Sequence, residues 1–129
     1  MPTVPAATTS PAAKKLSAKQ RIGRHGEDAA LAYLLGRGLR LIERNFRCKG
    51  GEIDLIMDDG AGLIFVEVRQ RADARYGGAC ASITQAKQRR LVLAAQLYLL
   101  RHKPVPPCRF DVIAIDGKQM TWLRNVIEA

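Results

Sequence analysis

The stretch GGEIDLIMDDGAGLIFVEVRQR, which ends at Arg71, restricts the fold more than any other part of the chain. Two apolar runs flank a short acidic turn that contains glycine, and this pattern reads as a hairpin. Side chains in a strand alternate between faces, and directly opposed residues of a pair share one. If Asp58 pairs with Leu63 around a four-residue loop, Asp59–Gly62, then Met57 meets Ile64, Ile56 meets Phe65 and Asp54 meets Glu67. Two carboxylates then face each other where hydrophobes are expected. A loop one residue longer or shorter would send them to opposite faces.

Opposed residues have Cβ atoms roughly 5 Å apart. Two unit charges at that distance repel by about 3 kcal/mol at an effective dielectric near 20. A shared proton, a cationic neighbour or a hard divalent ion with oxygen ligands would offset this. If the repulsion is poorly offset, removing either carboxylate should raise metal-free stability. A structural ion pair between Glu67 and Arg69, two apart on one strand face, is the plainer alternative.

The remaining elements follow from periodicity. HGEDAALAYLLG places Leu31, Leu34 and Leu35 on one helical stripe over residues 24–36, and Gly36 and Gly38 end it. A strand starts at Leu39, and the hairpin supplies the next two. The third strand, LIFVEVRQR, is apolar on both faces up to Glu67, which predicts a central strand covered on both sides. After a polar loop from Arg71 to Ala81, Ser82 and Gln85 have capping-box spacing for a helix from Ile83 to Arg101. PVPP breaks the chain, CRFDVIAI from Cys108 is a fourth strand, and Met120–Leu123 suits a short fifth. The α-β-β-β-α-β order predicts a mixed sheet flanked by helices. Residues 1–20, rich in Pro, Ala, Thr and Lys, read as a flexible basic tail, and residues 21–129 as one domain.

Lys and Arg number 21 against 12 Asp and Glu, a net charge of +9 that favours a polyanionic partner. Aromatic residues are only 5% of the chain, too few for a platform that stacks single-stranded bases. The 3 cysteines, Cys48, Cys80 and Cys108, form no CxxC pair, which fits a reducing cytoplasm rather than a disulfide framework or zinc knuckle. No apolar run is long enough to span a membrane.

Glu27 lies four residues before Leu31, close to the apolar stripe of the first helix. Lys87 lies similarly against Leu91, Ala95 and Tyr98 on the long helix, where a lysine can also snorkel outward. Glu27, Asp54 and Glu67, with Arg69 and Lys87, are therefore expected to converge over one sheet face. Oxygen donors suit Mg²⁺ or Mn²⁺, and His25 and His102 have no zinc-site spacing. An acidic centre with basic flanks is what phosphodiester hydrolysis needs. Arg71, Arg75, Arg89 and Arg90, with Lys87, are candidate phosphate contacts.

Together HGEDAALAYL, ERNFRCKGGEIDLI, FVEVRQR, the helix bearing Lys87 and the late RFDVIAI resemble the YraN-like family of small bacterial proteins, over about residues 22–116. That family is similar to the PD-(D/E)xK restriction-endonuclease-like nucleases and to archaeal Holliday junction resolvases. The resemblance implies a metal-dependent nuclease core acting on DNA, branched or damaged DNA included. Asp54 and Glu67 would be its motif carboxylates, Glu27 the helix-one acid, and the Val68 carbonyl a further metal ligand. A homodimer is compatible with it. Arg69 stands where the superfamily motif has lysine, and arginine does not deprotonate in proteins. A nucleic-acid-binding module that keeps the fold without turnover is the alternative.

Overall fold

The computed structural model describes residues 18–71 and 78–127. They form α1 (Ala18–Gly36), β1 (Arg40–Cys48), β2 (Gly51–Asp58), β3 (Leu63–Arg71), a short α2 (Gly78–Ala81), α3 (Gln85–Leu99), β4 (Cys108–Asp116) and β5 (Gln119–Leu123). The five strands lie in the order β1-β2-β3-β4-β5. Only β3 and β4 are parallel, joined by the crossover through α3, so the sheet is mixed.

β3 lies at the centre, with helices on both sides. Leu63 and Phe65 enter one core with Leu91, Ala94, Ala95 and Tyr98 of α3. Ile64 and Val66 enter the other, with Ala30 and Leu34 of α1. This alternation is what a strand buried on both faces requires. Phe65 is fully buried and meets Tyr98 edge-on at 6.1 Å and Phe110 at 5.4 Å between ring centroids.

The acidic turn has a structural explanation. The Asp58 carboxylate accepts from the Gly60 amide at 2.7 Å, and that of Asp59 accepts from Ala61 and Gly62 at 2.8 and 2.9 Å. Gly60 supplies the positive φ, 91°, that closes the loop.

Several local expectations are corrected. α1 starts at Ala18, inside the expected tail, whose residues 1–17 lie outside the described residues. Glu27 and Asp28 are therefore in mid-helix. Leu35 is exposed, and Ala30 with Leu34 forms the buried stripe. Thr84, not Ser82, caps α3, accepting from the Lys87 amide at 3.2 Å. Part of the expected polar loop is α2. Gly51 positions α3: a side chain there would run into the Arg90 carbonyl and Ala94, so the helix backbone lies directly over the start of β2.

Candidate metal and phosphate site

The hairpin has the register that the turn length predicts: Asp58 opposite Leu63, Met57 opposite Ile64, Ile56 opposite Phe65 and Leu55 opposite Val66. Asp54 and Glu67 are next in line, and there the ladder ends. The strands part, and the Val68 amide donates to Asp54 Oδ2 at 2.8 Å instead of to a backbone carbonyl. In a strand, the N–H and C=O of one residue point to the same side. The Val68 carbonyl therefore opens towards β2, beside Asp54.

The Glu67 carboxyl lies against the Asp54 charge, and retaining a proton there relieves the repulsion between them. Burial raises Glu67 first, the Asp54 charge second, and together they push it up to about 9. Burial also raises Asp54, against the hydrogen bonds from Glu67 and the Val68 amide. Arg69 approaches Glu67 at 3.7 Å, but this contact does not keep Glu67 ionised. Its Nε is committed to Ser82 Oγ at 2.9 Å, and Ser82 in turn donates to the Ala79 carbonyl at 2.6 Å. Arg69 thus reaches Glu67 through Nη1 at 3.7 Å and Ser82 through Nε at 2.9 Å.

This makes metal-free stability depend on pH. Below about 4.5, folded and unfolded chains both hold the Glu67 proton; from there to about 9, the folded state alone favours it. The stabilisation is complete below the lower value and lost as pH rises through the upper one, at up to about 1.4 kcal/mol per pH unit. Urea melts in chelator should show stability falling from about pH 6 to about pH 8. Glu67→Gln, which stays neutral, should flatten that slope, and an unchanged slope in the variant would place the proton elsewhere.

Beside the pair lies a cavity of about 60 Å³ lined by Glu52, Glu67, Arg69, Lys87 and Arg90. Lys87 projects from the first turn of α3 along the inward stripe that continues to Leu91. Its pKa is lowered, first by burial and then by the Arg69 charge. Arg90 and Lys87 therefore share a wall, whereas Arg89 and Arg71 are exposed outside it. Arg75 lies outside the described residues.

Glu27 is placed differently from expectation. It belongs to α1, which packs on the sheet face opposite α3, so Glu27 and Lys87 approach from opposite faces at the gap between β2 and β3 rather than over one face. Arg44 of β1 holds it at 3.1 Å and Asp28 at 2.6 Å. Burial raises the Glu27 pKa first, the nearby Asp54 charge second, against hydrogen bonds from Arg44 and Asn45.

Among the described residues, no three His, Cys, Asp or Glu side chains form a metal-holding group. The donors available to an ion at this position are two carboxylates and the Val68 carbonyl, an all-oxygen set of the kind that Mg²⁺ or Mn²⁺ takes alongside water. Two carboxyls that keep a proton between them fit such an ion, because they have an uncompensated demand for positive charge.

Three residues here are absent from the sequence reading, Arg44, Asn45 and Glu52, and Ser82, expected as a helix cap, instead accepts from Arg69. A signal for Asn45 was present. Lys49–Gly50 is a two-residue turn, and Cys48 pairs with Gly51. Counting back along that hairpin brings Asn45 opposite Asp54.

Over residues 26–115 the chain matches the uncharacterised protein family UPF0102. A UPF0102 protein of Janthinobacterium sp. (strain Marseille) is 65% identical over 113 residues, covering 88% of this chain and 92% of the relative. One from Herminiimonas arsenicoxydans is 62% identical over 113 residues, with 88% and 91% covered. One from Ralstonia pickettii (strain 12J) is 59% identical over 108 residues, with 80% and 86% covered.

Proposed function

We propose that this chain, which belongs to the UPF0102 family, is a metal-dependent endonuclease-like protein that hydrolyses phosphodiester bonds of DNA. One observation carries the reading. Two half-buried carboxylates meet in a gap of the sheet, next to a small cavity lined by Glu52, Glu67, Arg69, Lys87 and Arg90.

Asp54, Glu67 and the Val68 carbonyl would hold Mg²⁺ or Mn²⁺, which supplies charge to the phosphate and acidity to its water when bound. Lys87 and Arg90 would receive the phosphate, since both bring positive charge to the lining of that cavity. Lys87 is also suited to move a proton, because its pKa is lowered and it can titrate. Arg69 cannot take that part. Held by Ser82, it orients water or phosphate. Glu27 contributes field through Asp54, held back by Arg44. A cytoplasmic setting suits such an enzyme, and no helix among the described residues is long and apolar enough to cross a membrane.

The second reading, a binding module without turnover, is favoured by one specific fact: the motif lysine is replaced by Arg69, which cannot deprotonate and whose Nε is bonded to Ser82. Assays of the purified full-length chain on linear duplex and four-way-junction DNA, with Mg²⁺ or Mn²⁺, separate the two. Cleavage is expected, and Arg69→Lys should keep or raise it. Binding should weaken steeply with salt, each phosphate contact adding roughly 0.9 to the logarithmic slope. Arg90→Glu and Arg89→Glu should weaken it further. Salt-sensitive binding without cleavage by wild type or Arg69→Lys would select the binding module, and salt-indifferent binding would remove both readings.

A further inference from the structure

The row that contains Asp54 and Glu67 extends one strand further, to Asn45. Arg44 stands opposite Leu55 and Phe46 opposite Ile53, so Asn45 stands opposite Asp54, yet the two form no ladder pair. Asn45 has φ 52°, in the left-handed region. That conformation costs most L-residues about a factor of ten in population, and asparagine tolerates it best after glycine.

A crossing of the sheet occurs at this row. Arg44 reaches α1, where it bonds Glu27 and Asp28. Phe46, only two residues on, lies against Tyr98 of α3 at 5.3 Å, on the other face. Regular alternation would put Arg44 and Phe46 on one face. β2 does the same across the gap: Leu55 belongs to the α1 core and Ile53 to the α3 core. Both strands thus change faces at one row, and Asp54 lies at the change. Its carboxylate is free to turn in-plane to the Val68 amide, where a laddered Asp54 would stand on a face.

We propose that Asn45 is a positioning residue: its left-handed backbone opens the sheet at the Asp54 row and holds the Asp54 carboxylate against the Val68 amide, where it meets Glu67. The use of that row for a metal rests on the function proposed above; the opening of the row does not. The same crossing sends Arg44 to α1, so one backbone conformation on β1 sets both the carboxylate pair and the hold on Glu27. Glycine should replace Asn45 in this role, because it adopts a positive φ without penalty. Alanine should do so poorly and valine worst, since a β-branched residue at positive φ is an outlier.

The test is amide exchange at Val68 in the metal-free, full-length chain, measured by NMR against the core amide of Phe65 in the same sample. Global destabilisation moves both amides, whereas loss of the Asp54 contact moves Val68 alone. Relative to Phe65, Val68 exchange should stay within about twofold of wild type in Asn45→Gly and rise about tenfold in Asn45→Ala. Asn45→Val should exceed both, and if it does not fold, the alanine and glycine variants decide. Equal, wild-type exchange in both would overturn the proposal, as would a glycine variant as perturbed as alanine, which would assign the effect to the side-chain amide. Mn²⁺-induced stabilisation in melts of the same proteins should follow the same order. A wild type that ignores Mn²⁺ would remove the metal reading, while the Val68 exchange would still decide the role of Asn45.

Discussion

Asp54→Ala is expected to abolish metal-dependent cleavage and Mg²⁺-induced stabilisation, and also to lower the stability of the metal-free protein. The last part reverses what two facing charges suggest. With Glu67 protonated at neutral pH, little repulsion is left to relieve. Asp54 is instead the acceptor of the Val68 amide and of the Glu67 proton. Alanine leaves both donors without a partner, and a buried unsatisfied donor costs about 1–3 kcal/mol. Glu67→Gln should behave oppositely on stability. It keeps a donor for Asp54 and cannot ionise, so metal-free stability at about pH 8 should equal or exceed wild type. It should equally lose cleavage, because a neutral amide is a poor ligand for Mg²⁺. Melts with and without Mg²⁺, beside cleavage assays, check both variants. Cleavage that survives Asp54→Ala would take this carboxylate out of the chemistry, and a ligand-induced shift that survives would take it out of the metal site.

The second large effect is expected outside the cavity lining, at Asp111, the fully buried carboxylate of β4. Arg109 bonds it from Nε at 3.0 Å, the Trp122 indole at 2.9 Å and the Asn125 amide at 2.8 Å. These contacts tie β5 and the turn after it to β4, where the Val126 amide also donates to the Phe110 carbonyl. Asp111→Ala leaves a guanidinium, an indole N–H and a backbone N–H facing an empty acceptor position. Breaking a buried charge pair in this way costs about 3–5 kcal/mol, a large share of the roughly 5–15 kcal/mol that holds a domain of this kind together. Trp122 is the chain's only tryptophan, so its fluorescence in urea titrations reports the unfolding directly. A loss under about 1 kcal/mol would mean that the network contributes no more than a surface pair. Because β4 runs beside β3, with Val112 opposite Glu67, loosening it should also disturb the site.

Sequence by itself determined the hairpin register, the central place of β3 and the order of elements. These are local: a period of two, a turn of four residues with glycine at the positive-φ position, and an apolar run on both faces leave one arrangement. They also brought Asp54 and Glu67 to one row and put Lys87 on the inward stripe of α3. Tertiary structure decided what those residues are. Whether Glu67 carries a charge depends on how much water α3 and the sheet exclude, and desolvation belongs to elements distant in the chain. Glu27 was legible as an inward acid, but its side of the sheet was not, because α1 packs opposite α3 and Arg44 comes from β1 to hold it. The capping-box spacing pointed to Ser82 rather than Thr84. In the fold Ser82 accepts from Arg69, and Thr84 closes the helix. Asp111 gave no signal of its own in CRFDVIAI, since its donors Trp122 and Asn125 reach it only once β5 has folded back on β4.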